Sequence, residues 1–198
     1  MSKISAILLG AGESKRMGVN KLSLPWGKRT VFEHCLHTLL RSKVDEVIVV
    51  LNHPAKGIVP LIKDQKVKIV INPYYKRGMS ASIRRGLRAI DPRSDGILIV
   101  LGDQPFLKTR TINVLIHAFV QSKGAIIIPL YRGIQGHPVL FNRRFEKELL
   151  RIKGDVGAKS IIERYPQDAW IVPVRSEGVV KDIDIWKDYR KELKVMES

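Results

Sequence analysis

Residues 8–26, LLGAGESKRMGVNKLSLPW, set the fold class of this chain. They begin at the end of the apolar segment Ile4–Leu9, which predicts a buried strand. Glycines directly after a strand let the backbone approach a ligand closely, and successive backbone N–H groups can hold phosphate oxygens. The stretch therefore predicts a phosphate-binding loop on a sheet.

This loop differs from the two standard phosphate loops. A Rossmann fingerprint requires a glycine three residues after Gly12, where this chain has Lys15, and the Gly-Lys-Ser/Thr triplet of a P-loop is absent. The loop carries instead two cations, Arg16 and Lys21, which suit a triphosphate whose negative charge grows on the leaving pyrophosphate. Taken alone, it is also compatible with a surface turn that carries solvated Lys and Arg side chains.

Outside the loop, short apolar runs alternate with amphipathic segments. This alternation is typical of a mostly parallel sheet covered by helices on both faces, so we expect a three-layer, Rossmann-like α/β fold in a single domain over residues 1–198. The most hydrophobic run, Gly96–Leu101, predicts the central strand. The other expected elements are strands at Ile4–Leu9, Glu46–Leu51, Val67–Ile71, Ala125–Pro129 and Ala169–Val174, helices at Thr30–Leu40, Gly57–Lys63, Ser80–Ile90, Thr109–Gln121, Phe145–Lys153, Ala158–Arg164 and Ile185–Val195, and a hairpin at Ile134–Asn142.

Charge is the extreme feature of the composition. The chain has 35 Lys and Arg against 19 Asp and Glu, a net charge of +16, which indicates an anionic partner. Nucleic acid is disfavoured because the basic residues are spread along the chain and only 7% of residues are aromatic. A Lys-rich surface of the kind found in some high-temperature lineages is the alternative explanation.

The rest of the composition excludes several classes. With 44% hydrophobic residues the chain can bury a core, which excludes intrinsic disorder. Its apolar runs are far shorter than the roughly 20 residues of a bilayer span. Since Met1–Leu9 also lacks a secretory-signal pattern, we expect a cytoplasmic protein without a membrane partner. The single cysteine, Cys35, lies at helical spacing from Phe32 and Leu39 and is interpreted as a core residue.

The loop resembles the signature of the molybdenum cofactor cytidylyltransferases and their MobA/MocA-like relatives, which transfer a nucleotide to molybdopterin. The matching run is Gly10-Ala11-Gly12-x-Ser14-x-Arg16-Met17-Gly18-x-x-Lys21-Leu22-x-Leu24-Pro25-Trp26, in which Gly10 stands where the usual motif has Ala. The resemblance implies that Arg16 and Lys21 steady the β- and γ-phosphates. It also implies that the backbone of Leu9, Gly10, Ala11 and Gly12 lies against the nucleotide.

A second block, Asn72-Pro73 followed by Gly78-Met79-Ser80-x-Ser82-Ile83-x-x-Gly86-Leu87, agrees with this family. From the residues alone it is a strand end, a glycine turn and a helix N-terminus, where N–H groups and hydroxyls can hold an anion or a ribose. An ordinary N-cap explains it equally well. The resemblance implies that Gly78, Ser80 and Ser82 contact the base and ribose.

The third block, Leu101-Gly102-Asp103-Gln104-Pro105, directly follows the expected central strand. An aspartate at the carboxyl end of a parallel strand lies in the crevice where open α/β sheets bind ligands, and it can hold Mg²⁺ against phosphates. Alone, Asp103 could instead cap the following turn. The Gly-Asp-Gln-Pro sequence is similar to the cytidylyltransferase branch of the family.

The remaining blocks match the acceptor side of the family. They are Gly136-His137-Pro138-Val139, Gly154-Asp155-x-Gly157-Ala158-Lys159 and Asp182-Ile183-Asp184. The resemblance implies that His137, Gly157 and Lys159 bind the acceptor, with the pterin phosphate near Gly157 and Lys159. Lys159 replaces the common Arg, so a point-charge contact replaces a bidentate one. In an extended segment Asp182 and Asp184 face opposite ways, and we expect Asp182 to be the second Mg²⁺ ligand beside Asp103.

The resemblance implies transfer of CMP from CTP to molybdopterin with release of pyrophosphate, dependent on Mg²⁺. Asn20 before Lys21 favours CTP over GTP, because the GTP-dependent relatives usually have Asp there. The alternatives are a GTP-dependent molybdopterin guanylyltransferase, another small-acceptor nucleotidyltransferase, and a basic nucleic-acid-binding module. A last alternative is a carrier that delivers the cofactor to molybdoenzyme apoproteins.

Overall fold

The computed structural model describes residues 2–12, 14, 16–52, 57–122, 125–155 and 157–197. Its strands are β1 (Ile4–Gly10), β2 (Pro25–Trp26), β3 (Arg29–Thr30), β4 (Glu46–Asn52), β5 (Lys68–Asn72), β6 (Gly96–Leu101), β7 (Ile126–Tyr131), β8 (Ile134–Gln135), β9 (Val139–Asn142) and β10 (Ala169–Pro173). Its helices are α1 (Val31–Leu40), α2 (Val59–Ile62), α3 (Met79–Leu87), α4 (Thr109–Gln121), α5 (Glu146–Arg151), α6 (Lys159–Arg164) and α7 (Trp186–Glu197).

The main sheet is mostly parallel. Its strand order is β10-β7-β9-β6-β1-β4-β5, with β8 paired to β7, and β2 and β3 form a separate small hairpin. The neighbours of β1 on both sides, β4 and β6, run parallel to it, whereas β9 runs antiparallel to both β6 and β7. The carboxyl ends of β1, β4 and β6 therefore meet at one edge of the sheet.

The hairpin expected over residues 134–142 is wrong. β8 pairs with the end of β7 through a two-residue turn, in which Arg132 (φ 47°) and Gly133 (φ 83°) both have positive φ. Such turns match the twist of a hairpin, so the local turn joins β7 to β8. The following strand, β9, leaves that hairpin and inserts between β6 and β7.

Alternating side chains of β1 face two cores. Ile4, Ala6 and Leu8 pack in the core covered by α1, α2 and α4, whereas Ile7 and Leu9 pack in the core covered by α3, α5 and α6. The period of two along a strand thus supplies both faces of the sheet. The expected three-layer α/β fold is confirmed.

Several helices form where the sequence predicts them. The predicted helix at Thr109–Gln121 is α4, and α1 starts directly after Thr30, whose side chain accepts a hydrogen bond from the Glu33 N–H while the Glu33 carboxylate binds the Thr30 N–H. This capping box satisfies two N–H groups at the helix start. Cys35 is buried in α1, as expected, and burial raises the pKa of its thiol. Within the described ranges, no helix has the length and apolar content needed to cross a membrane.

A third, smaller cluster ties the C-terminus to the loop after β1. Met17, Trp26, Val31, Ile183 and Tyr189 are buried together. Two hydrogen bonds support the contact. The indole N–H of Trp186, the first residue of α7, donates to the Met17 carbonyl at 3.0 Å, and the Tyr189 hydroxyl donates to the Pro25 carbonyl at 2.7 Å. The helix α7 therefore packs against the loop after β1, which carries the sequence motif.

Candidate active site

A cleft of about 480 Å³ opens at the carboxyl ends of β1 and β6. This is the edge at which open α/β sheets bind ligands. Its walls come from the glycine loop (residues 10–22, apart from 13 and 15), the start of α3 and the turn after β6. The residues that line it are Leu9, Ala11, Gly12, Ser14, Arg16, Lys21, Leu22, Tyr75, Lys76, Gly78, Met79, Ser82, Leu101, Asp103, Asp155 and Asp184.

The two glycines of the loop do different things. A Cβ on Gly10 would lie 2.6 Å from a ring carbon of Phe32 and 2.8 Å from a methyl of Leu51, both fully buried, so Gly10 is required by core packing. A Cβ on Gly12 would meet no described atom within 4 Å, and Gly12 lines the cleft. Gly12 is thus the glycine that leaves backbone open to a ligand, whereas Gly10 does not line the cleft.

Lys21 is fixed by its neighbours in the chain. Asn20 caps a short 3-10 helix by accepting a hydrogen bond from the Leu22 N–H at 3.1 Å, and the Leu22 side chain is inserted into the core. The Lys21 N–H donates to the Ser14 hydroxyl at 3.2 Å. Because the backbone on both sides is anchored, the Lys21 side chain is directed into the cleft, where it is only 12% exposed.

The ammonium of Lys21 lies between two carboxylates. Its Nζ is 2.7 Å from Asp103 Oδ2 and 2.8 Å from Asp184 Oδ1. Arg16 Nη1 donates to the other oxygen of Asp184 at 2.7 Å, although the Arg16 side chain is 72% exposed. The cleft therefore brings together both cations predicted from the loop and two aspartates from distant segments.

These contacts shift the pKa values of the group. Burial alone would lower the pKa of Lys21, but its interactions with Asp103 and Asp184 outweigh burial and raise the pKa above the ordinary lysine value. The hydrogen bond from Lys21 lowers the pKa of Asp184, and Arg16 contributes in the same direction. These shifts favour the ammonium form of Lys21 and the carboxylate form of Asp184.

Asp182 is placed differently from its neighbour Asp184. The segment that carries it is not a regular strand, and Asp182 does not line the cleft. Burial, then the charges of Asp184 and Asp103, raise the pKa of Asp182. Of the two residues, Asp184 rather than Asp182 therefore lines the cleft.

The carboxylates suit a divalent cation. Asp103 Oδ1 is buried and has no hydrogen-bond partner among the described residues. Carboxylate oxygens are the ligands that Mg²⁺ prefers. The described residues contain no group of three or more His, Cys, Asp or Glu side chains able to hold a metal, so further ligands for such an ion would come from phosphate and water.

The wall opposite the glycine loop is the start of α3. Gly78 has φ 89°, and a Cβ there would lie 2.6 Å from Asp155 Oδ1 and 2.7 Å from the backbone carbon of Gly154, so only glycine fits. Gly78 and Ser82 line the cleft, as predicted for nucleotide contacts. Ser80 does not: it is fully buried, and its N–H donates to the Gly154 carbonyl at 3.1 Å.

The three predicted acceptor residues are not gathered in this cleft. A Cβ on Gly157 would lie 3.1 Å from Met79 Sδ, which places Gly157 beside the cleft wall. The Lys159 side chain is 76% exposed and lies 3.7 Å from Glu163. Burial lowers the pKa of the His137 imidazole, and the Asp103 charge opposes this shift. The backbone N–H of His137 donates to the Val179 carbonyl at 2.7 Å.

Several cleft residues were not assigned from the sequence. Asp155 accepts a hydrogen bond from the Met79 N–H at 2.9 Å and thereby ties the loop after α5 to the start of α3. It was visible in the Gly154-Asp155 block but had no assigned role. Tyr75 and Lys76, from the turn before α3, carried no motif, and only the fold places them in the cleft.

Taken together, the fold and the paired charges of the cleft define a nucleotidyltransferase of the α/β class. The chain belongs to the family of the MobA-like NTP transferase domain, whose family model matches residues 6–169.

The chain is similar to relatives with different printed activities. It is 25% identical to the molybdenum cofactor cytidylyltransferase of Escherichia coli K12 over 190 residues, which cover 96% of this chain and 95% of that protein. It is 27% identical to the purine catabolism protein PucB of Bacillus subtilis over 194 residues, 92% of each. A probable molybdenum cofactor guanylyltransferase of Methanosarcina mazei is 31% identical over 117 residues, 56% of this chain and 51% of that protein.

Solved structures share the fold of this chain. The crystal structure of Rv0371c from Mycobacterium tuberculosis superimposes with a TM-score of 0.86 and 29% identity, covering 98% of both chains. A complex of that protein with manganese has a TM-score of 0.79 and 28% identity, covering 98% of this chain and 99% of that one.

Proposed function

We propose that this protein transfers CMP from CTP to the terminal phosphate of molybdopterin and releases pyrophosphate. The observation that carries the proposal is the pairing of Arg16 and Lys21 with two carboxylates in one cleft at the carboxyl edge of the sheet. Similarity to the E. coli cytidylyltransferase over nearly the whole chain supports this choice of substrates. So does the Gly-Asp-Gln-Pro sequence after β6.

The reaction requires alignment and charge neutralisation more than covalent help. An oxygen of the acceptor phosphate attacks the α-phosphorus of CTP and forms a P–O–P bond. The bond from the α-phosphorus to the β-phosphate oxygen breaks, and its electron pair leaves with pyrophosphate. Because the attacking oxygen is already anionic, no side chain has to remove a proton.

Arg16 and Lys21 then act on the leaving group. Lys21 is held in place by the buried Leu22 beside it and by the Asn20 cap, so its charge is oriented before the nucleotide binds. A charge that is preorganised in this way stabilises the negative charge that develops on pyrophosphate. Arg16, which is largely exposed, is free to turn from Asp184 to the phosphates.

The carboxylates fit a divalent cation, and we propose Mg²⁺. When bound, this ion would neutralise phosphate charge and polarise the α-phosphate. Asp103 would hold it through the buried, unpartnered Oδ1. For the second ligand we propose Asp184 in place of Asp182, because Asp184 lines the cleft. The manganese complex of Rv0371c supports a divalent ion in a related chain.

The acceptor would approach from the side of Gly157. The loop that carries this residue borders the cleft at Met79, and the exposed Lys159 at the start of α6 can meet an acceptor phosphate as a point charge. His137 lies near Asp103, on the antiparallel side of β6. We propose these three residues as the acceptor side of the site.

Release of pyrophosphate with each of the four NTPs, with and without molybdopterin, tests the proposal. We expect CTP to exceed GTP by at least about tenfold in kcat/KM, because each buried polar group left unpaired by the wrong base costs about 1–3 kcal/mol. Asp103→Asn should fold normally and lose metal-dependent turnover, whereas the exposed Lys28→Ala should behave as the wild type.

The outcome also separates the alternatives. Equal or better use of GTP would replace the cytidylyltransferase with the guanylyltransferase. If no nucleotide reacts with a pterin acceptor, the protein is a nucleotidyltransferase with another acceptor or a carrier that delivers cofactor to molybdoenzyme apoproteins.

A further inference from the structure

A buried asparagine, Asn72, contacts the cleft residue Ser82 from the interior of the protein. Asn72 is the last residue of β5 and is 1% exposed. Its Oδ1 accepts a hydrogen bond from the Tyr74 N–H at 3.0 Å, and its Nδ2 donates to Ser82 Oγ at 3.0 Å. A backbone N–H can only donate, so the oxygen of the amide must face Tyr74 and the NH₂ must face Ser82. The chemistry of the neighbours thus fixes the orientation of this side chain.

The orientation of the Asn72 amide determines whether the Ser82 hydroxyl donates or accepts a hydrogen bond toward the cleft. A serine hydroxyl has one proton and accepts through its lone pairs. In this structure it accepts from Asn72, and the described part of the chain supplies no acceptor for its proton at hydrogen-bond distance. Ser82 is 5% exposed, and it lines the cleft. Its proton is therefore available to a ligand in the cleft.

From this geometry we infer that Asn72 is a positioning residue that determines base specificity: it makes Ser82 a hydrogen-bond donor toward the bound nucleotide. A donor at this point selects an acceptor atom on the base. Cytosine carries acceptors at its O2 and N3 atoms, whereas the Watson–Crick edge of guanine carries mostly donors. This inference rests on the proposed function, and Asn72 acts through Ser82 without contacting the nucleotide itself.

Replacing Asn72 by aspartate reverses the direction of the hydrogen bond with little change of shape. The carboxylate still accepts from the Tyr74 N–H, but it cannot donate, so it takes the Ser82 proton. The lone pairs of Ser82 then face the cleft. Asn72→Asp should lower the affinity for CTP at least about tenfold and lower the ratio of CTP affinity to GTP affinity.

The experiment is a double-mutant cycle read by calorimetry. Dissociation constants for CTP and GTP with Mg²⁺ are measured on the wild type, Asn72→Asp, Ser82→Ala and the double variant, with circular dichroism to verify folding. Without the Ser82 hydroxyl there is no proton to redirect, so Asn72→Asp should change the CTP-to-GTP ratio by less than about twofold in the Ser82→Ala background. A new negative charge alone would weaken both nucleotides in both backgrounds.

Asn72→Ala provides a second test if the aspartate variant does not fold. It frees the Ser82 hydroxyl to rotate, and the CTP-to-GTP ratio should fall toward that of Ser82→Ala. An unchanged ratio in both Asn72 variants, or the same loss with and without the Ser82 hydroxyl, overturns the inference and leaves the proposed function intact. A wild type that binds neither nucleotide overturns both.

Discussion

The two glycines of the motif loop should respond in opposite ways to the same substitution. Gly10→Ala places a methyl group 2.6 Å from the Phe32 ring and 2.8 Å from a methyl of Leu51, in a core where both side chains are fully buried. Gly12→Ala places the same group where no described atom lies within 4 Å. Gly10→Ala therefore affects core packing, whereas Gly12→Ala affects only ligand binding in the cleft.

The magnitudes follow from these distances. Overpacking of a well-filled core costs about 1–3 kcal/mol. In a chain of this length each kcal/mol corresponds to about 2–4 °C in Tm, so Gly10→Ala should lower Tm by about 4–8 °C for a mid-range loss. Gly12→Ala should leave the free energy of unfolding within about 0.5 kcal/mol of the wild type. Its methyl group should instead weaken CTP binding at least about tenfold by blocking close approach of the backbone.

Chemical unfolding and calorimetric titration with CTP, both on the two variants and the wild type, measure these effects. Each variant serves as the control for the other, because the residues are two positions apart in one loop. Wild-type nucleotide affinity in Gly12→Ala would refute the idea that the loop backbone contacts the nucleotide. Wild-type stability in Gly10→Ala would refute the packing argument for the first glycine.

Three further perturbations have defined outcomes. Lys21→Met removes the ammonium that neutralises the two cleft aspartates. In a paramagnetic titration without nucleotide, Mn²⁺ should therefore bind the variant at least about tenfold more tightly than the wild type. An unchanged Mn²⁺ affinity would contradict this expectation. Burial would raise the pKa of Glu46, but hydrogen bonds led by Lys68 and Ser5 outweigh burial and lower it. Glu46→Gln should therefore reduce the free energy of unfolding by about 1–2 kcal/mol near neutral pH. Because the folded pKa is the lower one, this difference should be full above the ordinary value of 4.5 and shrink as denaturant titrations are repeated at lower pH. Tyr189→Phe loses its hydrogen bond to the Pro25 carbonyl and should lower Tm by about 2–4 °C in thermal unfolding, whereas an unchanged Tm would mean that this hydrogen bond does not stabilise the packing of α7.

Much of the fold could be predicted because strands and helices are encoded locally. The apolar run of β1 and the amphipathic segment of α4 depend on side chains a few positions apart, and both elements form where expected. The hairpin at 134–142 was wrong because β9 pairs with β6 and β7, and no local pattern specifies those partners. Strand pairing depends on the whole sheet, so a turn signal alone assigns it poorly.

The site residues also divide into those that the local sequence identifies and those that only the folded chain brings together. Arg16, Lys21 and Asp103 could be singled out because the loop chemistry and the strand end that carry them are visible in the sequence. The role of Asp184 could not, because its partner Arg16 is 168 positions away and only the folded chain brings them to 2.7 Å. Alternation along the segment separates Asp182 from Asp184 but does not tell which of the two faces the cleft, and only the folded chain places Asp184 there.

The class of fold, the glycine loop and the cations of that loop can be predicted from the sequence, since each depends on the chemistry of neighbouring residues. Only the folded chain shows which glycine packs in the core and which lines the cleft, which of Asp182 and Asp184 contacts Lys21, and that Ser82 accepts a hydrogen bond from Asn72. These depend on what packs behind each residue: Phe32 behind Gly10 and Asn72 behind Ser82. Such contacts arise from the assembly of separate segments, and chain connectivity does not specify them.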